Sequence, residues 1–224
     1  MNEPAPLEIG GTLLLLGGGP VSPETLEELA PRAAAVVAAD GGADRLRGGA
    51  LRPAAIIGDM DSLDHRAEWE GDPDVRVIEV PEQESTDFEK CLRLTRAPLT
   101  LAAGFLGGRF DHSLAALHAL LRFPDRRVLL IGEEDVTFLA PLHWRARLAP
   151  GSRVSIWPIA PCRGIASEGL VWPLVDLDLA AGAAIGTSNR ASAAEVSVRF
   201  DRRAAAVTVE RRFLDAAAES LAGP

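Results

Sequence analysis

Apolar residues follow two different rhythms along this chain. In the first part they come as continuous runs: "TLLLL" (12–16), "AAVVAA" (34–39), "AAII" (54–57), "VRVIEV" (75–80), "LTLAAGF" (99–105) and "RVLLI" (127–131). Unbroken runs of this length, rich in Val, Ile and Leu, predict strands covered on both faces. Segments with helical spacing lie between them. "SPETLEELAP" offers Ser22 as N-cap and Pro23 at the first helical position. "STDFEKCLRLT" places Phe88, Cys91, Leu92 and Thr95 on one face, and "DHSLAALHALLR" spaces Leu114, Leu117 and Leu121 for a helix. Strand–helix alternation predicts a mostly parallel sheet.

After about residue 132 the segments shorten and several alternate with period two: "VTFLA", "HWRARL", "SRVSIWPI", "AAIGTS", "AEVSVRF" and "AAAVTVE". Turn signals such as "APG" and "APCRG" separate them. The reading is an α/β chain: an N-terminal Rossmann-like, mostly parallel sheet with flanking helices over residues 1–136, and a C-terminal antiparallel β-sandwich over residues 137–224.

Composition narrows the class. An apolar share of 47% in 224 residues is enough for a sizeable core and argues against disorder. No apolar run reaches the length of a membrane span, and "MNEPAPLEIGG" has no basic region followed by an apolar core, so a cytoplasmic protein is expected. Cys91 and Cys162 match no metal spacing and are expected to be reduced and buried. The net charge of −9 is uneven: residues 1–144 hold 24 acidic and 13 basic side chains, residues 145–224 hold 8 and 10. That acidic excess argues against nucleic-acid binding. It suits a site that uses a cation to hold polyphosphate, and equally a soluble acidic surface.

Ligands of open parallel sheets gather at the carboxyl ends of the strands. Four successive predicted strands end in polar residues there. "ADGGAD" carries Asp40; "GDMDSLD" carries Asp59, Asp61 and Asp64; "PEQESTDFEK" carries Gln83, Thr86, Asp87 and Lys90; "LGGRFDH" carries Gly107, Gly108, Arg109, Asp111 and His112. Each has an ordinary structural reading. Thr86 and Glu89 have capping-box spacing, Asp111 could cap its helix, and "DGG" alone is a turn. Asp64 is read as the N-cap of the helix that follows. Asp59 and Asp61, two apart in extended chain, point to one side, and like charges so placed call for a cation or donors. Oxygen donors without nearby His or Cys suit Mg²⁺ rather than Zn²⁺. "GGGP" (17–20) after the first long strand is neither a Walker A loop nor a dinucleotide fingerprint.

Taken in order, "ADGGAD…IIGDMDSL…EQESTDFEKCL…LGGRFDH…EGLVWPL…GTSN" resembles the thiamine pyrophosphokinase family over roughly residues 12–210. The resemblance implies a homodimer with sites at the subunit interface, and transfer of the β,γ-diphosphate of MgATP to the hydroxyl of thiamine, releasing AMP. It implies Asp40, Asp59, Asp61 and Asp87 as the Mg²⁺ set. Gly41, Thr86, Gly107, Gly108, Arg109 and Asp111 would bind ATP. Gln83, Trp172, Ser188 and Asn189 would bind thiamine, the last three from the partner subunit. Asp61, Asp87, Arg109 and Lys90 would carry the chemistry. An indole against a flat cation gains stacking and cation–π attraction. Two departures stand out: Glu84 and Ser85 where the family often has Asp and Thr, and Ala116 where it often has Asn. Open alternatives are a pyrophosphokinase for another alcohol such as a hydroxymethylpterin, a non-catalytic thiamine or nucleotide sensor, and a Mg²⁺-dependent phosphohydrolase.

Overall fold

A computed structural model describes residues 4–222, which divide into two compact units between Ala119 and Leu120. In the first unit the elements are β1 (Leu7–Glu8), β2 (Thr12–Leu16), α1 (Pro23–Leu29), β3 (Ala35–Ala39), β4 (Ala55–Gly58), α2 (Arg66–Glu70), β5 (Arg76–Glu79), α3 (Asp87–Leu94), β6 (Thr95–Arg96) and β7 (Leu99–Ala103). Helix α4 (Phe110–Arg122) runs across the division.

The strand order β7-β2-β3-β4-β5 is parallel throughout, with Leu14 beside both Val36 and Leu101, and Ile57 beside Ile78. Leu13 to Leu16 are wholly buried, as an unbroken apolar run on a doubly covered strand requires. Because all five strands run the same way, the segments after β3, β4, β5 and β7 leave from one edge of the sheet. Helix starts follow the local chemistry. Ser22 Oγ accepts from the Thr25 amide ahead of α1, and Thr86 with Glu89 forms a full capping box ahead of α3.

The second unit contains β8 (Val128–Ile131), β9 (Asp135–Leu139), β10 (His143–Arg147), β11 (Arg153–Pro158), β12 (Cys162–Glu168), β13 (Leu177–Leu179), β14 (Gly186–Arg190), β15 (Glu195–Phe200), β16 (Ala205–Glu210) and α5 (Leu214–Leu221). One antiparallel sheet runs β10-β15-β12-β13, and β8, β9, β16, β11 and β14 pair antiparallel in that order. Alternate residues of β10 and β11 are buried, as one-sided sheets require. Trp144 of β10 meets Phe138 of β9 at 6.3 Å between ring centroids, and its indole donates to Ser220 Oγ of α5 at 3.2 Å.

Several readings differ from the structure. The compact units divide at residue 119/120, and the expected boundary of 136/137 falls within β9, which pairs with β8 through Leu130–Thr137 and Ile131–Val136. "CRG", read as a turn, opens strand β12. Its small residues leave no alternating pattern, and a Cβ at Gly164 would lie 2.4 Å from the Leu174 carbonyl oxygen. The predicted strand "AAIGTS" is shifted onward, as β14 runs from Gly186 to Arg190 with Ser188 at φ +60°. Asp64 is not the cap of α2: His65 holds the cap position without a side-chain bond to the helix amides, and the Asp64 amide donates to Asp44 Oδ2 at 3.0 Å. Asp111 lies in the first turn of α4, one residue inside its start, rather than at the cap. Both cysteines are free and buried.

Candidate active site

The site is built where β3, β4 and α3 meet. Asp40 follows β3 directly, is 1% exposed and takes φ +45°. A non-glycine residue rarely adopts that backbone, and the surroundings fix it here. Asp40 Oδ2 accepts from the Ser62 amide at 3.2 Å and from Ser62 Oγ at 2.6 Å, while Oδ1 is buried without a hydrogen-bond partner among the described residues. Gly58 ends β4 beside it, and a Cβ there would come within 2.7 Å of the Asp40 Cβ.

The loop after β4 turns through Met60 at φ +66°, which closes Asp59 and Asp61 onto each other. The Asp61 amide donates to Asp59 Oδ1 at 3.3 Å. Asp59 Oδ2 accepts from Lys90 Nζ and from Gln83 Nε2, both at 2.9 Å. Lys90, the single lysine of the sequence, is 1% exposed and also donates to Asp87 Oδ1 at 3.1 Å. One carboxylate oxygen from each of Asp40, Asp59 and Asp87 lies within 4.8 Å of the other two.

Electrostatics follow from this crowding. Burial works to raise the Asp59 carboxyl, but the bonds from Lys90, Gln83 and the Asp61 amide outweigh it and hold it below its usual range. Asp61, exposed to solvent, is pushed up chiefly by the charge of Asp59. Asp87 is raised chiefly by burial, against the pull of Lys90. For Lys90, burial favours the neutral amine, yet its two carboxylate partners win and the ammonium is held more firmly than usual.

Beside this cluster, the loops after β2 and β7 touch through backbone. The Gly19 amide donates to the Gly104 carbonyl at 2.9 Å, and a Cβ at Gly17 would lie 2.5 Å from that oxygen. Gly107 and Gly108 both hold positive φ, at +79° and +62°, and lead into α4. Arg109 and Asp111 are exposed and paired side by side, Nη2 to Oδ2 at 2.6 Å. Gly41 packs against the Ser62 carbonyl, where a Cβ would come within 2.5 Å. Two residues absent from the sequence reading belong to this edge. Ser62 holds Asp40, and Arg45 donates to the Gly18 carbonyl at 2.9 Å. The "DGGADR" and "DMDS" runs contained both, but nothing in residue spacing singles them out.

In the second unit, Trp172 is 56% exposed while Asn189 is 2% exposed. Asn189 Nδ2 donates to the Trp172 carbonyl at 2.7 Å, and its Oδ1 accepts from the Trp172 amide at 3.2 Å and the Arg190 amide at 2.8 Å. Ser188 is exposed, and its amide donates to Ser155 Oγ at 3.0 Å. Sequence reasoning placed Trp172, Ser188 and Asn189 in one group. The geometry splits their work: the tryptophan is presented and the asparagine holds its backbone.

Comparison with known proteins bears on this arrangement. The family model described as "Thiamin pyrophosphokinase, catalytic domain" matches residues 26–131, and "Thiamin pyrophosphokinase, vitamin B1 binding domain" matches residues 142–204. Thiamine pyrophosphokinase 2 of Arabidopsis thaliana is 32% identical over 172 residues, covering 67% of this chain and 62% of its own length, so the match spans less than two thirds of that relative. Thiamine pyrophosphokinase 3 of Oryza sativa subsp. japonica is 30% identical over 200 residues, covering 75% of this chain and 74% of its own. The thiamin pyrophosphokinase structure from Candida albicans superposes with TM-score 0.76 at 17% identity, covering 94% of each chain. That from Geobacillus thermodenitrificans gives 0.72 at 22% identity, covering 89% of this chain and 96% of its own. By both matched models and by the Oryza sativa relative, the chain belongs to the thiamine pyrophosphokinase family.

Proposed function

We propose that the chain is an ATP-dependent diphosphotransferase that moves the terminal diphosphate of MgATP to the hydroxyl of thiamine, giving thiamine diphosphate and AMP. Family membership supports the reaction. The observation that carries the site is the trio Asp40, Asp59 and Asp87, in which a buried carboxylate oxygen, Asp40 Oδ1, has no hydrogen-bond partner among the described residues. An anionic oxygen left so is costly unless a cation meets it. The donors are all hard oxygen, which fits Mg²⁺. Asp40, Asp59 and Asp87 would hold the ion, with Asp61 beside them. When bound, Mg²⁺ supplies charge neutralisation at the phosphate oxygens.

The chain's own residues do the rest in this reading. Lys90 positions Asp59 and Asp87, because its ammonium already has both as partners. Arg109 swings from Asp111 to the phosphates, and the amides of the Gly107–Gly108 turn add donors. Thr86 fixes the start of α3, and Gln83 faces thiamine. Asp61, raised by its neighbour, stands nearest to accepting the proton of the attacking hydroxyl. Trp172 lies against the thiamine ring, with Ser188 and Asn189, across a homodimer interface. We further place the protein in the cytoplasm; no helix among the described residues is long and apolar enough to cross a membrane.

The test is incubation of the purified chain with ATP, MgCl₂ and thiamine, followed by chromatography for AMP and thiamine diphosphate. Formation of both only with thiamine supports the reading. AMP formed with a hydroxymethylpterin instead, inorganic phosphate without an acceptor, or ligand binding with no turnover would each replace it with one of the alternatives.

A further inference from the structure

Ser62 is exposed, yet its amide and hydroxyl both engage Asp40, one of the most buried acids in the fold. A carboxylate has room for about four donors. Here both donors, at 3.2 and 2.6 Å, fall on Oδ2, leaving Oδ1 buried and without a hydrogen-bond partner among the described residues. The two loops are packed in close backbone contact. A Cβ at Gly41 would lie 2.5 Å from the Ser62 carbonyl oxygen, and one at Gly58 would lie 2.7 Å from the Asp40 Cβ. Glycine at both positions lets the loop after β4 press onto the turn after β3. With both Ser62 donors on Oδ2, Oδ1 is the oxygen of Asp40 left without a donor among the described residues.

We propose that Ser62 is a positioning residue that engages Oδ2 of Asp40 and thereby presents Oδ1 as a single-oxygen ligand to a divalent cation shared with Asp59 and Asp87. This rests on the metal reading above. Partners that orient ligands in this way affect metal affinity by about 10- to 100-fold, whereas a purely structural tie would change stability and leave affinity alone.

The test uses Mn²⁺ as probe, titrated into the nucleotide-free full chain and followed by electron paramagnetic resonance of the free ion. The wild type is compared with S62A, S62T and D40N, with circular dichroism to verify folding. S62A is expected to bind Mn²⁺ about tenfold or more weakly, D40N at least as weakly, and S62T within about threefold of wild type because it keeps the hydroxyl. Should S62A not fold, S62C is read in its place. Wild-type affinity in S62A, or S62T as weak as S62A, overturns the role of the hydroxyl while leaving the metal reading standing. No Mn²⁺ binding by the wild type overturns both.

Discussion

Lys90 Nζ lies 2.9 Å from Asp59 Oδ2 and 3.1 Å from Asp87 Oδ1, with its side chain 1% exposed. The chain thus carries an internal cation within its acidic cluster. Lys90→Met would leave two carboxylates together without it. Breaking a buried pair by removing one partner costs about 3 kcal/mol or more, so urea denaturation without metal should show a loss of that order. Added Mg²⁺ should recover part of it, and more than it adds to the wild type. A variant as stable as wild type in metal-free buffer would show that Lys90 does not hold the cluster.

The parallel order was legible because doubly covered strands leave unbroken apolar runs such as Leu13–Leu16, and the four exits were legible because parallel strands must end on one edge. Strand β12 was not: its CRGIASE segment alternates poorly and bends between Gly164 and Ala166. Helix α5 was not read from the alanine-rich tail, where only Leu214 and Leu221, with Ala217 between them, mark its buried face. In the site, charge and spacing pointed to Asp59 and Asp61, and the family resemblance added Asp40 and Asp87. They could not show that Lys90 faces inward, that Asp40 adopts positive φ, or that Ser62 reaches Asp40 while the Asp64 amide reaches Asp44 across the loops. Such facts depend on side-chain direction at a junction of three elements, which periodicity does not encode.

Asp61 is exposed and its side chain supports no packing, so Asp61→Asn should fold normally. It removes the charge that sits against Asp59 and, in the proposed reaction, the group nearest to the alcohol proton. The expected result is a kcat lowered by roughly 10²-fold at saturating MgATP, with a denaturation midpoint no lower than that of the wild type, since the charge facing Asp59 is gone. Full activity in the purified variant would remove Asp61 from the chemistry.

Trp172 and Asn189 separate binding from support. Trp172→Ala deletes a side chain already 56% exposed, so stability should move by less than about 0.5 kcal/mol. The KM for thiamine should rise by roughly tenfold, as loss of one aromatic contact of about 1–1.5 kcal/mol implies, and the KM for ATP should stay put. Asn189→Ala instead leaves the Trp172 carbonyl and two amides without their partner. It should cost about 2 kcal/mol in denaturation as well as raising the KM for thiamine. Equal stability losses in the two variants would contradict this division of labour.

Glu82 organises the segment that carries Gln83. Its carboxylate accepts from Ser85 Oγ, from the amides of Glu84 and Ser85 at 2.8 and 3.0 Å, and from Arg93 Nη2 at 3.0 Å. The Ser85 hydroxyl first, then Arg93 and the amides, outweigh burial and lower its pKa to about 2 from an ordinary 4.5. A carboxylate lowered on folding adds stability that is fully present above the unfolded value and fades as pH falls toward the folded one. Glu82→Gln should therefore be less stable than wild type near pH 7, and solvent screening of this part-exposed pair limits the difference to about 1 kcal/mol. The gap should close between pH 4.5 and pH 2, where the wild-type carboxylate takes up its proton. Urea denaturation of both proteins at pH 7, 4 and 3 measures it. A gap of constant size over that range would mean that the charge of Glu82 does not hold the loop.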